Sequence, residues 1–184
     1  IRIMSTLKVS TISPLGTDST KTITIGSAGD TIAGVATNTP SFFVVKTSDQ
    51  SASGGGEQVK VTFDTEVIDT DSAFDITNSK FVVPTGLGGV YFVGGLLRYE
   101  GTNGTLDQSQ ILFYKNGERH YQSQIQTSSN NLKNGQIYAA CMLNCSAGDY
   151  LEMYGAIDGS STAFGGASEK NNQTYFMGYK LIGA

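Results

Sequence analysis

The sequence is poor in the residues on which most catalytic and metal sites depend. Its 184 residues contain no tryptophan, one histidine (His120) and two cysteines, Cys141 and Cys145. A nucleophilic serine or cysteine needs a base held by an orienting group, and a structural zinc ion needs four soft ligands. No G-x-S-x-G sequence occurs, and neither cysteine is close to His120 in the chain. We therefore predict that the protein is not an enzyme and has no zinc site.

Charged residues are also scarce, and they are not clustered. Lys, Arg, Asp and Glu make up 15% of the chain, with a net charge of −4, whereas average soluble proteins have about 25%. Without a dense group of Lys and Arg, sequence-independent binding to nucleic acid is not expected. The longest apolar runs, such as 88–97, are far shorter than the ~20 residues that span a bilayer. We predict no nucleic-acid partner and no membrane insertion.

The two cysteines are predicted to be free. Cys141 and Cys145 are four residues apart in a predicted strand, which places their side chains on one face about 13 Å apart. That separation is too large for a disulfide unless the strand bends. We expect buried thiols that pack as small apolar groups, and the missing bridge favours assembly in a reducing cytoplasm.

Glycine and β-forming residues are abundant. The chain has 23 glycines, and Val, Ile, Thr, Tyr and Phe alternate with Ser, Gly and Asn, a pattern typical of an all-β protein with short strands. The Asn116-Gly117 pair predicts a two-residue hairpin turn, and Asp69 is expected to form a turn through its side chain. Strands are predicted at 42–46, 59–63, 80–83, 90–99, 110–115, 118–126, 136–143, 149–157 and 174–182.

The last predicted strand is apolar on both faces. Tyr175, Met177 and Tyr179 lie on one side, and Phe176 and Ile182 lie on the other. The core of a β-sandwich covers only one face of each strand. The second face therefore needs a cover, which is either a neighbouring subunit or the protein's own long loops.

The sequence divides into two regions, residues 1–39 and residues 40–184. The first region has two short alternating stretches, 7–12 and 21–25, each with at most three apolar side chains. It cannot hold a core of its own, and it must pair with copies of itself or with a partner to be ordered. We predict an attachment or assembly segment at 1–39 and one domain at 40–184. Residues 4–12, MSTLKVSTI, resemble the start of many fibre and adhesin proteins of tailed phages, where the N-terminus is the attachment end.

The spacing of aromatic, acidic and glycine residues over 63–91 resembles the signature of the C1q/TNF-like jelly roll. Two departures are visible, because Phe81 and Gly89 are two residues further apart than usual and Val93 and Gly95 replace the aromatics that normally follow Tyr91. The resembling positions are Phe63, Asp69, Phe74, Phe81, Gly89-Val90-Tyr91, Tyr114-Lys115-Asn116-Gly117, Gly148-Asp149-Tyr150-Leu151 and 175–182.

This resemblance implies an all-β jelly-roll sandwich that forms a homotrimeric binding head and has no enzymatic activity. It also implies a trimer interface, for which the candidates are Tyr91, Tyr175, Met177 and Tyr179. Some members of that family bind calcium. The acidic run at 64–75 lacks EF-hand spacing, so we expect no cofactor and leave calcium as an alternative without a named ligand.

Long polar segments are the strongest compositional sign of a binding function. Residues 100–108, 126–134 and 159–172 are rich in Ser, Thr, Asn, Gly and Gln, and such loops on a rigid sandwich are where recognition usually occurs. Their amide and hydroxyl groups suit sugars, although plain solvated loops are the alternative. Arg119, His120 and Tyr121, which follow the hairpin turn, are further candidates for receptor contact.

We interpret the chain as a phage virion protein, a trimeric fibre, knob or adhesin that assembles in the host cytoplasm. Its C1q-like head would bind a host surface receptor or glycan, and residues 4–39 would join it to other virion proteins. One alternative is a capsid or tail decoration or connector protein without a receptor. Another is a free soluble C1q-like lectin, which we would expect to carry a secretion signal or a collagen-like stalk.

Overall fold

The computed structural model describes residues 38–101, 106–127, 134–160, 162–166 and 174–182. Apart from residues 38 and 39, the predicted attachment segment lies outside these residues and stays a prediction. Within the described ranges no helix is long and apolar enough to cross a membrane. The strands are β1 (Ser41–Val45), β2 (Gln50–Ser51), β3 (Val59–Lys60), β4 (Thr65–Asp69), β5 (Phe74–Asp75), β6 (Lys80–Val82), β7 (Gly89–Gly101), β8 (Gln108–Lys115), β9 (Glu118–Gln126), β10 (Asn134–Cys145), β11 (Tyr150–Asp158), β12 (Thr162–Phe164) and β13 (Tyr175–Lys180).

These strands form two antiparallel sheets, which confirms the predicted all-β class. Sheet 1 is built around the long strand β7, which pairs with β10 along one edge and with β13 and β12 along the other. Beyond β13 lie β1 and then β4, and β2 pairs with β12. Sheet 2 has the order β5-β6-β11-β8-β9, and β3 also pairs with β11.

Aromatic rings from both sheets form the centre of the core. Phe176 of β13 is completely buried. Its ring centroid lies 4.9 Å from that of Phe42, 5.9 Å from Phe113, 6.0 Å from Phe63 and 6.4 Å from Phe74. Aromatic pairs at such distances are favourable beyond the area that they bury. The rings therefore join β1 and β13 of sheet 1 to β5 and β8 of sheet 2.

Two turns have the structures that their residues predict. Asn116 and Gly117 connect β8 to β9 with φ values of 54° and 81°, as a type I′ hairpin requires at both central positions. The Asp69 carboxylate accepts hydrogen bonds from the backbone N–H groups of Ala73 and Phe74, both at 3.0 Å. Side-chain capping of the local backbone explains why an Asx residue is favoured there.

The predicted strand 59–63 is shorter than expected, because after Val61, whose N–H still donates to the Met153 carbonyl at 2.9 Å, side chains replace the backbone partners. Only Val59–Lys60 pairs with β11 as a strand. The N–H of Thr62 donates to the side-chain oxygen of Gln50 at 2.9 Å, and the N–H of Phe63 donates to the hydroxyl of Ser79 at 2.9 Å. Strand β4, which the sequence analysis did not predict, pairs with β1.

Both thiols are free, as predicted. Cys145 is buried and Cys141 is partly buried, and both pack against the core. Burial raises the pKa of each thiol to about 11. At neutral pH they are therefore protonated and unreactive.

Candidate binding surfaces

The outward face of sheet 1 is aromatic rather than polar. On this face the Phe92 ring stacks on Tyr179 with centroids 5.2 Å apart, and the Phe43 ring lies 5.4 Å from that of Tyr175. A Cβ built on Gly94 would come within 3.3 Å of Met177, Tyr138 and Phe92, which shows that these side chains converge. Strands β1, β7, β10 and β13 therefore share one apolar surface, the "sheet 1 face".

Much of the sheet 1 face is open to solvent in the single subunit. Met142 and Tyr138, both on β10, are 67% and 47% exposed. Partial burial, together with the neighbouring Tyr138, raises the pKa of the Tyr175 hydroxyl. Exposed apolar surfaces with a polar rim are typical of sites where proteins associate.

A polar cleft borders this face at one end. It has a volume of about 260 Å³ and is lined by Arg98, Asn134, Gly135 and Gln136. The Arg98 guanidinium contacts the Glu100 carboxylate at 2.6 Å and donates to the Gly166 carbonyl at 2.9 Å. Because the Arg98 guanidinium is already paired in these bonds, the cleft adds a polar rim to the apolar face.

A separate apolar patch lies at the edge of the sandwich where β9 and β10 meet. Tyr121 and Ile125 of β9 are opposite Phe113 and Ser109 of β8, and directly opposed antiparallel residues share a face. They therefore point toward the space between the sheets, yet both remain exposed because β9 ends sheet 2. We call this patch the "β9 edge".

The predicted trimer-interface residues do not lie together. Tyr175, Met177 and Tyr179 are half-buried on the sheet 1 face, but Tyr91 points the other way. Tyr91 is 0% exposed, donates its hydroxyl proton to the Leu87 carbonyl at 2.7 Å, and has its pKa raised to about 12 by burial. Because it belongs to the core of its own subunit, we withdraw Tyr91 as an interface candidate.

The predicted receptor contacts Arg119, His120 and Tyr121 are divided by a register shift. The pairing of β8 with β9 shifts between Phe113 and Tyr114, so that Tyr121 is opposite Phe113 while Arg119 is opposite Tyr114. Tyr121 thus faces inward and stacks on Phe113 at 6.2 Å, and Arg119 faces outward on sheet 2. The exposed His120 falls at the shift. These residues do not form one contact surface.

The outward face of sheet 2 carries a group of tyrosines that sequence reasoning missed. The ring centroids of Tyr114 and Tyr154 are 4.1 Å apart, and the ammonium of Lys80 lies 5.4 Å from the Tyr150 ring centre. Beside them the Lys60 ammonium contacts the Glu152 carboxylate at 2.5 Å. The alternation of Tyr150, Glu152 and Tyr154 was the available signal, because every second residue of a strand shares a face.

The predicted loops and the calcium alternative are mostly beyond what the structure describes. Residues 102–105, 128–133, 161 and 167–173 lie outside the described ranges, and they contain much of the three polar segments. Among the residues that are described, no three His, Cys, Asp or Glu side chains come together in a way that would hold a metal ion.

Solved structures share this fold at low sequence identity. The globular domain of zebrafish complement 1qA protein is 15% identical, with a TM-score of 0.55, and the match covers 78% of this chain and 98% of that one. Murine APRIL is 12% identical with a TM-score of 0.55, covering 77% and 98%. Eiger TNF from S. frugiperda is 14% identical with a TM-score of 0.57, covering 78% and 93%. No family model and no curated protein matches the chain. The protein therefore has a C1q/TNF-like jelly-roll fold.

Proposed function

We propose that this protein is a homotrimeric binding head of a phage virion, a fibre, knob or adhesin that attaches to a host surface and catalyses no reaction. The sheet 1 face is the observation that best supports a trimer. Its aromatic side chains, together with the 67% exposure of Met142, leave an apolar surface that a second copy of the chain would cover.

The position of the apolar surfaces favours a closed ring. The sheet 1 face and the β9 edge are different surfaces on different sheets. An interface that joins two different patches is head-to-tail, and it closes into a ring when the rotation between subunits allows it. A C1q/TNF-like fold supports three as the number of subunits.

Attachment to a host would gain its strength from this symmetry. Three identical weak sites on one rigid head engage a repetitive surface much more tightly than one site does. The proposed virion location is supported by the similarity of residues 4–12 to phage fibre and adhesin N-termini. In that arrangement residues 4–39 bind other virion proteins, and the head faces the host.

Light scattering on the purified protein tests the trimer, and a stable monomer at micromolar concentration would overturn it. Deletion of residues 4–39 is expected to leave a folded trimeric head that no longer enters virions. The trimeric protein is then tested for binding to host cells. Failure to bind, in a particle that still requires the protein, would favour a decoration or connector role instead.

A further inference from the structure

The outward face of sheet 2 has a centre that is aromatic and polar at the same time. The paired rings of Tyr114 and Tyr154 lie 4.1 Å apart, and the Tyr114 hydroxyl is hydrogen-bonded to the side chain of Gln58. Leu112, directly opposite Tyr154 on the neighbouring strand, is completely buried. The ring pair is therefore supported by Leu112 from below, and both tyrosines are partly exposed. We call it the "tyrosine platform".

An ion pair lies beside the tyrosine platform. Glu152 is opposite Tyr114, and Lys60 is opposite Tyr154. Their charged groups are 2.5 Å apart, and Glu152 is only 6% exposed. Removing a carboxylate from water is costly unless it is paired. The pair thus places a neutral but strongly polar group next to the rings, as in ligand sites where a few buried polar groups set orientation.

Amide groups extend this surface along β9. Arg119 donates to the Gln122 side chain at 2.9 Å, and a row of side-chain hydrogen bonds runs from Gln122 to Gln124 and on to Gln126. Gln122 is opposite Leu112, so the row lies on the same face as the platform. Amides offer both donors and acceptors, which matches a ligand rich in hydroxyl groups.

In the described residues, the centre of the outward face of sheet 2 lacks the large exposed apolar side chains that a protein partner would need. The large apolar side chains that are exposed in the described residues are Val67, Ile68, Tyr121, Ile125, Tyr138, Met142 and Ile182. None of them belongs to β3, β6, β8 or β11, the strands that form the centre of this face. Interfaces between proteins need an apolar buried centre, so a ligand with both C–H and hydroxyl groups fits better.

We propose that the tyrosine platform is a carbohydrate-binding site for a neutral glycan chain. One apolar face of a sugar ring packs against the solvent-facing side of the mutually stacked Tyr114–Tyr154 pair, and its hydroxyl groups bond to the glutamine amides and to the Lys60–Glu152 pair. Tyrosine suits this role because it supplies large, rigid contact area with a polar tip. The inference rests on the proposed attachment to a host surface and names the chemistry of the receptor.

The test uses the full chain and an array of neutral oligosaccharides of glucose, galactose, mannose and N-acetylglucosamine. Isothermal titration calorimetry with the sugars that bind gives the affinity of each variant without depending on the tyrosines that are replaced. Tyr154→Ala and Tyr114→Ala are each expected to weaken binding by about tenfold or more, and Tyr154→Phe, which keeps the ring, by less than about twofold. Tyr138→Phe, on the other sheet, is the control. If Tyr154→Ala fails to fold, Tyr114→Ala and Tyr114→Phe carry the comparison.

Two results would overturn the site: a wild-type protein that binds no oligosaccharide, or alanine variants that bind as tightly as the wild type. The proposed function is tested separately with host cells. Attachment that persists in Tyr154→Ala refutes this site and leaves the proposed function intact. A wild-type trimer that does not attach to host cells refutes the proposed function, even where the platform binds a sugar.

Discussion

Replacing Met142 by glutamate should dissociate the proposed trimer without unfolding the subunit. Met142 is 67% exposed and lies with Tyr138 on the outward side of β10. Substitutions at exposed positions usually change the free energy of unfolding by less than about 0.5 kcal/mol. A new carboxylate in the middle of an apolar contact, by contrast, has to lose its water when the subunits associate.

The size of the effect follows from the exposure of Met142. Fully burying a methionine side chain contributes about 1.5–3 kcal/mol, so covering the exposed two thirds of this one contributes about 1–2 kcal/mol per subunit. A trimer has three such sites, which together are worth about 3–6 kcal/mol, or about 10²- to 10⁴-fold in the association constant. Desolvation of the glutamate adds to this value, which is therefore a lower bound.

Sedimentation equilibrium over a range of protein concentrations measures the association constant, and chemical denaturation measures the stability of the subunit. Thr77→Glu is the matched control, because it places the same charge on the exposed turn between β5 and β6, at the edge of sheet 2 opposite β9. We expect the control to remain a trimer. A Met142→Glu protein that associates as tightly as the wild type would show that the sheet 1 face is not the interface.

Three further predictions concern the fold. Phe176→Ala should lower the free energy of unfolding by about 3–5 kcal/mol, because its ring contacts four others in the core; a loss below about 1 kcal/mol in urea denaturation would contradict this packing. Partial burial opposes ionisation of Asp64, but hydrogen bonds from Thr47, Ser48 and Thr65 outweigh it and lower its pKa. The Asp64 carboxylate therefore contributes stability above its unfolded-state pKa, and this contribution is lost as the pH falls through the folded-state pKa. Asp64→Asn should thus lose less stability than the wild type between neutral pH and about pH 3. Equal losses would argue against these bonds. Cys145, buried and with its pKa raised to about 11, should resist iodoacetamide in the native protein at neutral pH and react on unfolding; rapid native labelling, detected by mass spectrometry, would show that the β10 end opens.

Features that depend on neighbouring residues could be predicted from the sequence. The Asn116-Gly117 turn, the Asp69 turn and most long strands follow from local turn chemistry and from alternation with a period of two. The predicted and observed bounds of β9 are the same, 118–126. The two-sided apolar pattern of β13 also indicated a face that the core of one subunit does not cover.

Features that depend on pairing between distant segments could not be predicted. The short strand β4 has exposed side chains and no clear alternation, and it exists because β1 offers it an edge. The register shift beside Tyr114 separates Arg119 from Tyr121, although alternation alone would place them on one face. The burial of Tyr91 also needed the tertiary structure, because alternation does not say which face of a strand meets the core.

The sequence by itself determined that this protein is an all-β sandwich with few charges, since strand period and turn residues are local properties of the chain. Its single histidine and absent tryptophan limited the chemistry before any fold was known. Only the tertiary structure decided which aromatic side chains are core, which cover the sheet 1 face and which form the tyrosine platform. The Lys60–Glu152 pair illustrates the physical reason, because its partners are separated by 92 residues and meet only when β3 pairs with β11.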